Sequence, residues 1–125
     1  MSVETIARKL TELCIQGKHF EAMRTLYGPE MVSVEGDGKE TSGKDAVIKK
    51  SELFQGANQI TGQDIRGPFF CGDSNANSGK FALYFSLTFT PKSTGKSKTH
   101  EEFGLYSVKN DIITREEFYY DDVLI

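Results

Sequence analysis

Two cysteines and two histidines are all that this chain of 125 residues offers as thiol or imidazole groups. Cys14 and Cys71 have neither metal-ligand nor redox spacing, and His19 and His100 join no Asp/Glu cluster with the spacing of a metal site. Two reduced, buried thiols and no metal are the expectation. No apolar run approaches the roughly 20 residues of a membrane span, and the N-terminus lacks a signal peptide's apolar stretch. A soluble, cytoplasmic protein without a membrane partner is expected. Basic charge is also scarce: Lys and Arg number 15 against 18 Asp and Glu, for a net charge of -3. The densest basic stretch, Lys92 to Lys98, is short and turn-like, which argues against nucleic acid as a partner. Neither a nucleophile elbow nor a phosphate-cradling loop is present, and Gly36-Asp37-Gly38 reads as a turn, so no cofactor is expected. With no repeat, low-complexity stretch or linker, residues 1–125 are read as one domain. A chain of this size buries roughly two-thirds of its unfolded surface, enough for a core and a modest internal pocket.

What is present falls into two halves. Val3, Ile6, Ala7, Leu10, Leu13 and Cys14 recur at helical spacing after Ser2, a plausible N-cap. Gly17 breaks that helix, and a second carries Phe20, Met23, Leu26 and Tyr27 up to Gly28-Pro29. Met31 to Glu35 is a β-branched alternating run closed by Gly36-Asp37-Gly38. Ser42 with Asp45 is a capping signature for a third helix, Lys44 to Phe54, with Val47, Ser51 and Phe54 on one stripe. From residue 58 the period drops to two, giving strands at Asn58 to Phe70, Lys80 to Thr90, Lys98 to Lys109 and Ile112 to Tyr120. Phe81, Leu83, Phe85, Leu87 and Phe89 form one strongly apolar strand face that must be covered. Asn110-Asp111 is a two-residue hairpin turn, and the last four strands read as an antiparallel meander. Helices first and a long sheet after them is an α+β order, met most economically by a curved sheet with helices across its concave side.

That order, together with Glu30-Met-Val-Ser-Val-Glu35, Thr41-Ser-Gly-Lys-Asp-Ala-Val47, Gly67-Pro68, Phe81-Ala-Leu-Tyr-Phe85, Glu102-Phe-Gly-Leu-Tyr-Ser-Val108 and Arg115-Glu-Glu-Phe-Tyr119, resembles the SnoaL-like families of the nuclear transport factor 2-like superfamily. The resemblance implies a cone-like α+β barrel, a pocket between sheet and helices, and a homodimer through the outer face of the sheet. It implies no single reaction, because the fold hosts isomerases, cyclases, dehydratases, hydrolases and non-enzymatic binders.

By the same resemblance, the isomerases' carboxylate base stands shortly before the Ser-Gly that opens the third helix, and Glu35 holds that place to within one residue. Partial burial by the preceding valines is expected to raise its pKa above the reference of about 4.3 and fit it to proton transfer. The alternative is a strand-end carboxylate facing water. The isomerase tyrosine on the first helix has Leu10 in its place, so that oxyanion pair is incomplete. The second acid's place falls near Gly104, with Glu102 two residues earlier on the same face as His100 and Tyr106.

A regular hairpin at Asn110-Asp111 adds Arg115, Glu117 and Tyr119 to that face, whereas a one-residue slip substitutes Phe103, Leu105, Glu116 and Phe118 on the pocket side. Glu35 and Glu102 are thus the candidate catalytic groups. Tyr27, Phe54, His100, Tyr106, Glu117 and Tyr119 are the candidate ligand contacts. Three functions follow: a pocket for a small apolar ligand, favoured here; a cofactor-free isomerase, cyclase or hydrolase using Glu35; and a dimeric interaction domain with a filled interior.

Overall fold

The structure is a computed structural model and describes residues 1–121. Its elements run α1 (Val3–Ile15), α2 (His19–Leu26), β1 (Tyr27–Val34), β2 (Glu40–Ser42), α3 (Lys44–Ala57), β3 (Asn58–Cys71), β4 (Gly79–Pro91), β5 (Lys98–Lys109) and β6 (Ile112–Tyr119). The strands form one curved sheet in the order β2-β1-β6-β5-β4-β3. Every pairing is antiparallel except β1 with β6, which is parallel. The three helices cross the concave side. No helix among the described residues is long and apolar enough to cross a membrane.

Local chemistry accounts for the boundaries. Ser2 caps α1, its Oγ accepting from the Thr5 amide at 3.1 Å. Asn110 and Asp111 both adopt positive φ (51° and 69°), the backbone a two-residue hairpin turn needs. Two expectations change. Tyr27 opens β1 instead of closing α2, because its backbone pairs with Ile113 of β6 and its hydroxyl reaches Glu116. Ser42 does not cap α3: it pairs with Val32 as the last residue of β2, a short strand the sequence did not suggest. Gly43 becomes the N-cap residue, and its amide donates to the Met31 carbonyl at 2.7 Å.

The core lies between helices and sheet, where Ile6, Leu10 and Leu26 meet Phe81, Leu83 and Ile113. Phe81, Leu83 and Phe89 are fully buried, while Phe85 and Leu87 on the same face are half-buried. That difference leaves room above the middle of β4. Cys14 is buried as expected, and its thiol is pushed up to about 12, chiefly by burial. Cys71 corrects the other half of that expectation: it ends β3 and is exposed.

Candidate functional site

The polar end of the interior is built where the parallel pair of strands meets α3. Ser33 and Glu116 are register partners in β1 and β6, and both are buried. The Tyr27 hydroxyl donates to Glu116 Oε1 from the start of β1. From α3, one turn beyond the buried Val47, Lys50 Nζ donates to Ser33 Oγ at 2.9 Å and to Glu35 Oε1 at 2.5 Å. The other oxygen of Glu35 accepts from the Tyr120 hydroxyl at 3.2 Å. A Cβ at residue 36 would lie only 2.8 Å from the Tyr120 ring, so glycine there is what lets the ring cross the strand end to Glu35.

Strand β5 supplies the opposite side. Alternation places His100, Glu102, Gly104 and Tyr106 on the concave face, paired with Leu87, Phe85, Leu83 and Phe81 of β4. Gly104 is the point where three rings converge. A Cβ there would meet Tyr106 at 3.0 Å and both Phe118 and Phe85 at 3.2 Å. His100 is 5% exposed, packs edge-on against the Tyr120 ring, and directs Nε2 to within 3.7 Å of Glu102 Oε2. Nε2 has no hydrogen-bond partner among the described residues.

Between these sides lies a cavity of about 450 Å³. Phe20, Met23, Phe54, Phe85 and Leu87 form apolar walls, while Glu35, Glu102 and Glu116 bring carboxyl groups to it. The exposed Asp37, Lys39 and Gln55 mark its mouth. Burial pushes the Glu116 carboxyl above the ordinary carboxylate range, against the hydrogen bonds from Tyr27 and Ser33 and the charge of Lys50. Burial, and after it the neighbouring Glu116, raises Tyr27 and Tyr106 well above the usual phenol value, so both stay protonated donors. His19 at the start of α2 also lines the cavity, and burial lowers its pKa. Among the described residues, no group of three His, Cys, Asp or Glu side chains is arranged to hold a metal ion.

The cavity brings together Glu35, Glu102, Tyr27, Phe54 and Tyr106 from the residues singled out in the sequence. His100 stands beside them, against Glu102 and Tyr120. Glu117 and Tyr119 lie elsewhere, on the outer face of the sheet. There the Tyr119 hydroxyl donates to Glu117 at 3.2 Å, and Arg115 lies 3.4 Å from the same carboxylate. The reason is a bulge: Val108 pairs with Ile113 but Ser107 pairs with Arg115, leaving Thr114 without a register partner. Every later residue of β6 is thereby turned over, and Glu116 and Phe118 face inward opposite Tyr106 and Gly104. Leu10, at the place of the isomerase tyrosine, lines the cavity. The phenols come instead from Tyr27, Tyr106 and Tyr120. Lys50, Ser33 and Tyr120 were not singled out in the sequence. For Lys50, the three-residue step from Val47 was the available signal.

The sequence model of the SnoaL-like domain matches residues 1–120. Among solved structures, a candidate SnoaL-like polyketide cyclase from Mesorhizobium loti, also labelled a carbohydrate phosphatase, is 37% identical, with 96% of this chain and 100% of that chain covered and a TM-score of 0.86. A candidate isomerase from Bacillus subtilis shares the fold at 15% identity and a TM-score of 0.71, with 94% and 84% covered. So does a protein with a ketosteroid isomerase-like fold from Catenulispora acidiphila, solved in complex with trimethylamine, at 14% identity and a TM-score of 0.71, with 93% and 85% covered. The search of curated proteins returned no match.

Proposed function

The chain belongs to the SnoaL-like domain family, and from that premise we propose that it binds a small, largely apolar molecule in the space between sheet and helices. The observation that carries this reading is the cavity of about 450 Å³, apolar along its walls and edged by three carboxyl side chains. An interaction domain with a filled interior has no need of that space. The unmatched Glu102 carboxyl also opposes a phosphate dianion, which weighs against phosphoester substrates. Titration with cyclohexanone, followed by amide NMR, tests the reading. Shifts are expected at Phe85, Leu87 and Phe118. No shift, or shifts confined to Tyr84 and Phe103 on the outer face, would overturn it.

A second reading, cofactor-free proton transfer beside a carbonyl, is favoured by the unlike settings of two acids. Glu35 is held by Lys50 and Tyr120 as a carboxylate acceptor, whereas burial favours the proton-bearing form of Glu116. In this scheme Glu35 takes a proton from the carbon next to the carbonyl. Glu116 and the Tyr106 hydroxyl donate to the oxygen as negative charge develops there, and Glu35 returns the proton to carbon. Deuterium incorporation into cyclohexanone in D₂O is the measure: the wild type should exceed the Glu35→Gln variant by about 100-fold, the low end of what a positioned base contributes.

We also propose that two copies pair through the outer face of the sheet. Arg66, Tyr84, Phe103 and Tyr119 are consecutive partners across β3, β4, β5 and β6, forming a row of aromatic and guanidinium groups. Phe103 and Tyr119 are each 54% exposed, and an apolar row of this kind is suited to burial against its own copy.

A further inference from the structure

The charges that reach the cavity are matched, with one exception. Glu35 is paired with Lys50, Glu116 accepts from Tyr27 and its burial favours the neutral acid, and Asp37 and Lys39 stand together in solvent at the mouth. Glu102 differs. Its side chain is only 18% exposed and takes part in no hydrogen bond among the described residues. Its one ion-pair contact among them is His100 Nε2, at 3.7 Å, longer than a hydrogen bond. In its neutral form that imidazole offers no compensating charge.

The surroundings of Glu102 are aromatic. Phe85 is its cross-strand partner on β4, and two residues along the same face the rings of Phe85, Tyr106 and Phe118 converge on Gly104. A partly buried carboxylate is costly unless a cation meets it, and ring faces attract cations through their quadrupoles. A carbonyl oxygen brings only an acceptor to Glu102, and a carboxylate or phosphate adds like charge. A hydroxyl can donate to Glu102 but leaves its charge uncompensated. An ammonium group meets both features: it pairs with Glu102 and lies against the rings.

We propose that the ligand of this cavity is an apolar amine, with its ammonium against Glu102 and its hydrocarbon body along Phe85, Tyr106 and Phe118. This rests on the ligand-binding reading and narrows it to cations.

The test compares benzylammonium with benzyl alcohol, its neutral counterpart of similar size, by amide NMR titration at pH 7.5. Benzylammonium should bind the wild type about 10-fold or more tightly than the alcohol, the scale of a partly desolvated charge contact with ring support. Glu102→Gln should level the two affinities, whereas Glu117→Gln on the outer face should leave the preference in place. Equal affinities in the wild type would overturn the amine while the cavity remained a ligand site. Failure of both probes to shift cavity residues would overturn the amine and the ligand-binding reading together. The wild-type comparison decides the matter even if the Glu102 variant does not fold.

Discussion

At the scale of single residues, the cavity depends on where side chains stop short of full burial. Phe81 is 1% exposed and stacks on Tyr106 with ring centroids 5.0 Å apart, whereas Phe85, two pairs along, borders open space. Phe81→Ala should therefore cost about 3–5 kcal/mol in urea denaturation, and Phe85→Ala clearly less, because its removal enlarges a cavity that already exists. Glu116 carries a pH signature. Its folded pKa is raised, so the folded state holds its proton at pH values where the unfolded chain has released it. Stability from this group is thus fully present below the unfolded pKa and declines as pH rises through the folded one. Glu116→Gln should remove that decline, so denaturation midpoints of variant and wild type should diverge in the variant's favour as pH increases above the ordinary carboxylate range. The alternation of β5 already made Glu102, Gly104 and Tyr106 legible as neighbours on one face. The pairing of Lys50 with Glu35 was not, since a lysine on a helix beside polar neighbours reads equally well as solvated.

At the scale of elements, periodicity located every helix and long strand, because period 3.6 before residue 58 and period 2 after it reflect which faces are buried. It could not locate the bulge at Thr114. Residues 115–120 alternate charged with charged and aromatic with aromatic, so both registers present equally polar faces. Only contacts from β1 and α3 decide between them: Tyr27, Ser33 and Lys50 provide for Glu116 in a way that nothing provides for an inward Arg115. Deleting Thr114 should therefore be tolerated: regular pairing then keeps Arg115 opposite Ser107 and Glu116 opposite Tyr106, with the inward face unchanged. A urea midpoint lowered by the deletion as far as by Phe81→Ala would contradict this account. Strand β2 was missed for a related reason, since three residues are too few to show a period.

At the scale of the whole molecule, pairing through the outer face predicts a solution mass of twice the 14.0 kDa of one chain. Phe103→Glu should return the mass to that of the single chain in light scattering at micromolar concentration, because it places charge at the middle of the aromatic row. If the wild type already measures as one chain, the outer face has no such partner. The row was not legible in the sequence, where a regular hairpin placed Tyr119 on the pocket face; its continuity from Arg66 to Tyr119 depends on the same bulge that turned Glu116 inward.

The parallel pairing of β1 with β6 has a consequence in time. The bonds from Tyr27 to Glu116 and from Tyr120 to Glu35 join residues 89 and 85 positions apart. During synthesis the helices, β1 and the broad antiparallel strands emerge first, and the strand that carries Glu116 and Phe118, with Tyr120 just after it, follows them. Long-range pairings of this kind are also the slow ones, because the loop must close before any contact rewards it. A nascent chain halted before residue 112 has the walls of the cavity but neither its buried acid nor the phenol at its rim. Its unpaired β1 and β5 edges would face each other across the gap that β6 is made to fill.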